Sequence, residues 1–198
     1  MKKTTLFGKL FLGAAVVTMS LGAVSCKEKA KDTEEVAEEA NEETFENAEN
    51  DSLEDDSDYL VFAAETDLKE IALGKLAQQK GVHAETKAFG KMMEEMHTKS
   101  LGELKTAAAA KNITIPESIT EDGQEAWDKL NKKEGHDFDE AYADDMVDGH
   151  EKAISKIEKA ADKAQDPDIK TWAANLLPNL RSHLEQSKTL EATVDAAD

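Results

Sequence analysis

Cysteine occurs once, proline three times and tryptophan twice in this chain of 198 residues, and 24 basic side chains face 43 acidic ones. One cysteine excludes an intrachain disulfide and any cysteine-rich zinc site. Three prolines and ten glycines are too few for a sandwich or barrel with many turns. A formal charge of −19, with no basic stripe to release counterions, excludes nucleic-acid phosphate as a partner. The sequence also lacks a P-loop, a glycine-rich dinucleotide turn and a Ser or Cys nucleophile beside a base, so it carries no enzyme signature. What is present is a 39% hydrophobic share, too high for a wholly disordered chain. The length suits one domain with a tail.

The amino terminus reads as an address. Lys2, Lys3 and Lys9 form a positive region, and Leu10 to Ser25 is an apolar run of sixteen residues, nearly all small or aliphatic. That run is short for a bilayer span and fits a secretory segment. Ala23-Val24-Ser25 then offers small residues for cleavage, directly before Cys26. The arrangement resembles a bacterial lipoprotein signal over 1–25, although Ala23 stands where such signals usually carry Leu. By that resemblance Cys26 is acylated, with chains such as palmitate, and the membrane is a partner through this anchor. Two or more acyl chains anchor stably, at about 0.8 kcal/mol per buried methylene. The alternative is ordinary cleavage at the same bond, leaving a free secreted thiol.

Residues 27–58 hold fifteen acidic side chains and three lysines. Val36, Phe45 and Leu53 are their only large apolar side chains, so burial cannot offset ordering entropy. Residues 26–58 are therefore expected to be a disordered acidic tether. Glu34–Asn47 has the composition of a transient helix, without an apolar face to dock.

Residues 59–198 repeat with helical spacing, which predicts an all-α domain. The first helix is expected over Tyr59–Lys80, stopped by Gly81, and the second over Ala84–Lys111, ended by Asn112. The connection that follows carries a short extra helix near Ile119–Asn131, with Ser118 and Glu121 at capping-box spacing. The third helix starts after Gly135, where Asp137 and Glu140 repeat that spacing. The fourth starts at Asp166 as cap, with Pro167 at its first position. Pro178 inside it removes a backbone bond and should kink it. Short links predict two antiparallel hairpins, and the long middle connection is of the kind ferritin-like bundles use.

His97, His150 and His183 each fall on the apolar stripe of a different helix, so each is predicted to point inward. Each also lies near the middle of its helix. At about 1.5 Å per residue, all three meet within roughly 5 Å of one level. Glu70 occupies the middle of the first helix, and Glu94 stands in Glu-x-x-His spacing with His97. Three imidazoles and a carboxylate suit one transition-metal ion, with zinc, copper and iron all candidates. Val147 and Leu180 stand where further glutamates would be needed, so the di-iron carboxylate signature is absent. The competing interpretation is a polar core layer without metal, in which the histidines, Glu70 and Tyr142 hydrogen-bond to one another. Met92, Met93 and Met96 suggest copper thioether ligation, but a Met stripe more often fills a core.

The stretches EIALGKLAQQKG (70–81), FGKMMEEMH (89–97), FDEAYADDMVDGHEKAI (138–154) and LPNLRSHL (177–184) resemble the bacterial domain-of-unknown-function family four-one-four-two, whose members are often labelled putative outer membrane proteins. The resemblance spans about 60–192. It implies a ferritin-like four-helix bundle exported to the periplasm or outer membrane. The family's motifs fall on Glu70, His97, Phe138-Asp139, Tyr142, His150, Pro178 and His183, which puts Tyr142 and Asp139 behind the ligands as supporting groups. It implies no settled activity. Two functions therefore stand at this point: a cell-envelope lipoprotein that binds a transition metal, or a non-catalytic structural or interaction module of the envelope.

Overall fold

The computed structural model describes residues 31–46 and 51–197. The expected signal segment and Cys26 lie outside the described residues. Among those described, six helices and no strand occur: α1 (Thr33–Glu46), α2 (Asp51–Lys80), α3 (Ala84–Ala110), α4 (Glu121–Asn131), α5 (His136–Lys163) and α6 (Pro167–Asp195). No helix among them is long and apolar enough to cross a membrane.

Two hairpins dominate. α2 packs most extensively on α3, and α5 on α6; the hairpins then meet through α2–α5, α3–α5 and α3–α6 contacts, with α4 lying on α2 and α5. In the first hairpin the backbones approach closely. A Cβ on Gly74 would stand 2.5 Å from the carbonyl oxygen of Gly90, and one on Gly90 would stand 2.7 Å from the Ala77 Cβ. Only glycine fits that crossing.

Each hairpin bend is held by a buried carboxylate from the other hairpin. Asp139, near the start of α5, accepts from the backbone N–H groups of Val82 and His83 in the α2–α3 link. Asp56, near the start of α2, accepts from those of Gln165 and Asp166 in the α5–α6 link. Both carboxylates are almost fully buried. The donors are the orphan N–H groups that precede or open a helix, and a carboxylate suits their positive end.

The interior is two apolar clusters rather than one. The first contains Leu60, Ala64, Leu101, Leu104, Ala153, Ile157, Ala173 and Leu180. The second contains Leu73, Ala77, Phe89, Met93, Phe138, Met146, Leu190 and Val194. On every long helix the switch from one cluster to the other brackets a buried polar residue: Asp67 and Glu70 on α2, His97 on α3, His150 on α5 and His183 on α6.

Several local expectations need correction. Over 33–46 and 51–58 the chain is helical rather than a solvated spacer. α1 buries Ala37, Asn41 and Phe45, a narrow stripe at spacing four. Asn41 replaces apolar bulk with fit: its amide donates to the Thr114 carbonyl at 2.9 Å and accepts from the Thr114 N–H at 2.7 Å. α2 starts at Asp51, eight residues before Tyr59, because Asp56 is a buried bend partner and not a solvated charge. The cap of α4 is Thr120, whose hydroxyl accepts from the Gly123 N–H, rather than Ser118. Gly135, at φ 61°, precedes α5 with no side-chain cap, so Asp137 is a first-turn acid and not a cap. Asp166 and Pro167 open α6 as expected, and α6 runs unbroken through Pro178.

Candidate metal centre

The three histidines predicted to share a level do so. One ring nitrogen from each of His97, His150 and His183 lies within 4.8 Å of the others, and all three residues are buried. Their ring centres form a near-equilateral triangle with sides of 5.5, 5.5 and 5.8 Å. Imidazoles bound to one tetrahedral ion at about 2.0–2.1 Å would have ring centres about 5.2 Å apart. The observed triangle is a few tenths of an ångström wider.

The orientation of two rings is fixed from behind. His97 Nδ1 lies 2.7 Å from Asp67 Oδ1, and His150 Nδ1 lies 2.7 Å from the Met146 carbonyl oxygen, to which it donates. Both bonds leave Nε2 facing inward without a partner, and Nδ1 of His183 is also buried without one. A carboxylate or carbonyl behind each imidazole is the arrangement that orients metal-ligating histidines. Buried polar atoms are rarely orphaned, and each such atom costs about 1–3 kcal/mol. Here the orphans concentrate: Asp67 Oδ2, Glu70 Oε2 and the Tyr142 hydroxyl join the three ring nitrogens.

The electrostatics divide the cluster. Burial, with the nearby His97 as a lesser contributor, pushes the pKa of His150 and of His183 down to about 4. Both rings are therefore neutral at pH 7, as a metal ligand must be. For His97, burial acts downward but is outweighed by the hydrogen bond to Asp67 and the charges of Glu70 and Asp67, so its pKa is raised. Glu70 is pushed up to about 7, chiefly by burial. Burial also raises Asp67, against the pull of His97.

The remaining predicted residues separate. Glu70 is not among the donor atoms within 4.8 Å. Its carboxyl lies between α2 and α5, where a Cβ on Gly149 would stand 3.3 Å from Glu70 Oε1, so the missing side chain makes room for it. With Gly149, Glu70 lines a polar cleft of about 290 Å³ that Lys69, Glu125, Lys129 and Lys152 also border. Tyr142 is fully buried between Phe89 and Phe138. Burial, with Glu70 and Asp145, raises its phenol well above the usual value. Glu94 turns away from the cluster: it accepts from Gln78 at 2.7 Å and faces Lys75 at 3.8 Å. Asp139 serves the α2–α3 bend. Of the methionines, Met93 is core and Met96 is partly exposed.

Asp67 is absent from the sequence-based expectations. Its one signal is position. It stands three residues after Ala64 and seven after Leu60, on the buried stripe of α2. A carboxylate on such a stripe implies a buried partner.

The sequence model of a family described as "Domain of unknown function (DUF4142)" matches residues 35–190. Neither a curated protein nor a solved structure matches the chain.

Proposed function

We propose that this chain, which belongs to the DUF4142 family, binds one transition-metal ion through His97, His150 and His183. The carrying observation is that one ring nitrogen from each of three buried histidines, on three helices, falls within 4.8 Å of the others, and that each ring carries a buried nitrogen without a partner. Three histidines suit zinc, copper or iron. Asp67 orients His97 and places a carboxylate directly behind the cluster, where a buried cation needs negative charge. The two hairpins form a ferritin-like four-helix bundle in this reading, supported by the short links, the long α3–α5 connection and the ligand set in mid-bundle.

The rest of the proposal is an envelope address. Acylated Cys26 tethers the domain to the membrane, on the periplasmic side or at the outer membrane. The support is the positive region, the apolar run and the lone cysteine placed directly after small residues. Labelling with a lipid precursor tests it: the wild-type chain should incorporate label and Cys26→Ala should not.

Metal content of the purified protein, before and after reconstitution with zinc, copper or iron, tests the centre. One ion per chain, lost in His150→Ala, is expected. No bound ion under any of these conditions would sink it. That result would favour a register-setting polar layer in a structural or interaction module, a reading supported by the bonds His97 and His150 already make to Asp67 and Met146.

A further inference from the structure

Two of the three candidate ligands face a second space. His97 and His183, but not His150, line a cavity of about 40 Å³ beside the cluster. Asp67, the carboxylate behind His97, lines it too. Ala63, Ala153, Ile157 and Leu180 form apolar walls, while Met96 and Asn179 also border it. Met96 is 38% exposed, so this space approaches solvent at the α3 surface. The cluster therefore has one side closed by His150 and its bond to Met146, and one side that opens on a small chamber.

Three histidines leave a tetrahedral ion with a fourth position, and metal sites that keep it free are those that take water or substrate there. A water needs about 10–15 Å³ of such space. A chamber of about 40 Å³ suits a ligand of a few non-hydrogen atoms. The largely apolar wall offers little to a polyanion, and Asp67 beside it repels one.

We infer that the fourth position is directed into this chamber and takes a diatomic or triatomic ligand, neutral or singly charged, in line with the His97–His183 edge. The inference rests on the metal reading above and adds the class of molecule the ion would hold. Larger oxyanions such as phosphate are disfavoured by the small volume and by the Asp67 carboxylate on its wall, and bulky chelating acids more so.

Cobalt(II) serves as the probe metal and azide as the probe ligand. Cobalt in the purified protein should give the intense visible bands of four-coordination, and azide should shift them saturably; phosphate should not. Ala63→Leu fills the chamber from α2 without touching a ligand. It should keep cobalt affinity within about twofold and weaken azide at least tenfold. If Ala63→Leu does not fold, Ala153→Val fills the same space from α5 with less strain. Cobalt bands indifferent to azide, or an unaltered azide response in a folded variant, would overturn this inference and leave the metal site standing. The absence of cobalt bands altogether would overturn the site itself, and the chamber's ligand with it.

Discussion

The α2–α3 hairpin and the α5–α6 hairpin bring opposite chemistry to the same waist. The first supplies one imidazole, His97, and the two buried carboxylates Asp67 and Glu70. The second supplies two imidazoles, His150 and His183, and no carboxylate among the orphaned buried atoms except at Asp145, which pairs with Lys69 at 3.1 Å. On one side carboxylates hold His97 upward in pKa; on the other, burial drives both rings to about 4. Donor strength and compensating charge are thus built on different halves. The protein does not need a metal to keep two donors deprotonated.

The sharpest way to break this contrast is to exchange the losses. His150→Ala or His183→Ala should lower zinc affinity at least 100-fold, measured by competition with a chromophoric chelator. Asp67→Asn keeps the ligand and removes the charge and orienting bond behind it, so a loss of about 10–100-fold is expected. If Asp67→Asn costs as much as His150→Ala, the division between donor and support is wrong.

Proton linkage gives the next test. His150 and His183 titrate near 4 in the folded state and near 6.5 when unfolded. Their contribution to stability is complete above pH 6.5, falls as pH drops to about 4, and is level below. At about 1.4 kcal/mol per pKa unit, each ring is worth up to about 3.5 kcal/mol across that window, less for His183 where solvent screens it. Glu70 acts in the other direction. Its folded pKa near 7 lies above the ordinary 4.5, so its penalty grows from pH 4.5 to 7. Urea melts of the metal-free protein at pH 4, 5.5 and 8 should show Glu70→Gln gaining most at pH 8. A double His150→Gln, His183→Gln variant should lose most of the acid limb. A Glu70→Gln gain that is the same at pH 4 and pH 8 would show that its carboxyl is not held neutral.

The bends offer a comparison where the halves should agree. Asp56→Asn and Asp139→Asn each weaken a buried carboxylate that accepts from two consecutive N–H groups. Each should cost about 1–3 kcal/mol in urea unfolding, without changing zinc affinity beyond the effect on folding. The smallest effect belongs to the α1 contact. Asn41→Ala removes two hydrogen bonds to Thr114 and should cost about 1 kcal/mol. Hydrogen exchange should rise in α1 while the amides around His97 and His150 stay protected.

The four long helices and the common level of His97, His150 and His183 were legible because both follow from periodicity: 3.6-residue spacing sets the face, and distance from the helix ends sets the height. Asp166 and Pro167 were legible because their chemistry is local. Asp56, Asp67 and Asn41 were not. Each is a polar residue whose burial depends on a partner far away in sequence, and in a chain this acidic such residues look like solvated surface. Glu94 misled for a related reason. Its spacing to His97 fits a metal pair, yet its carboxylate is taken up by Gln78 and Lys75 on α2.

The crossed carboxylates make the hairpins mutually unfinished. Neither bend satisfies its own amides, so a fragment ending after α3 or beginning at α5 would present bare N–H groups at its turn and a carboxylate with nothing to receive. In the native bundle each half therefore finishes the turn of the other, one at each pole.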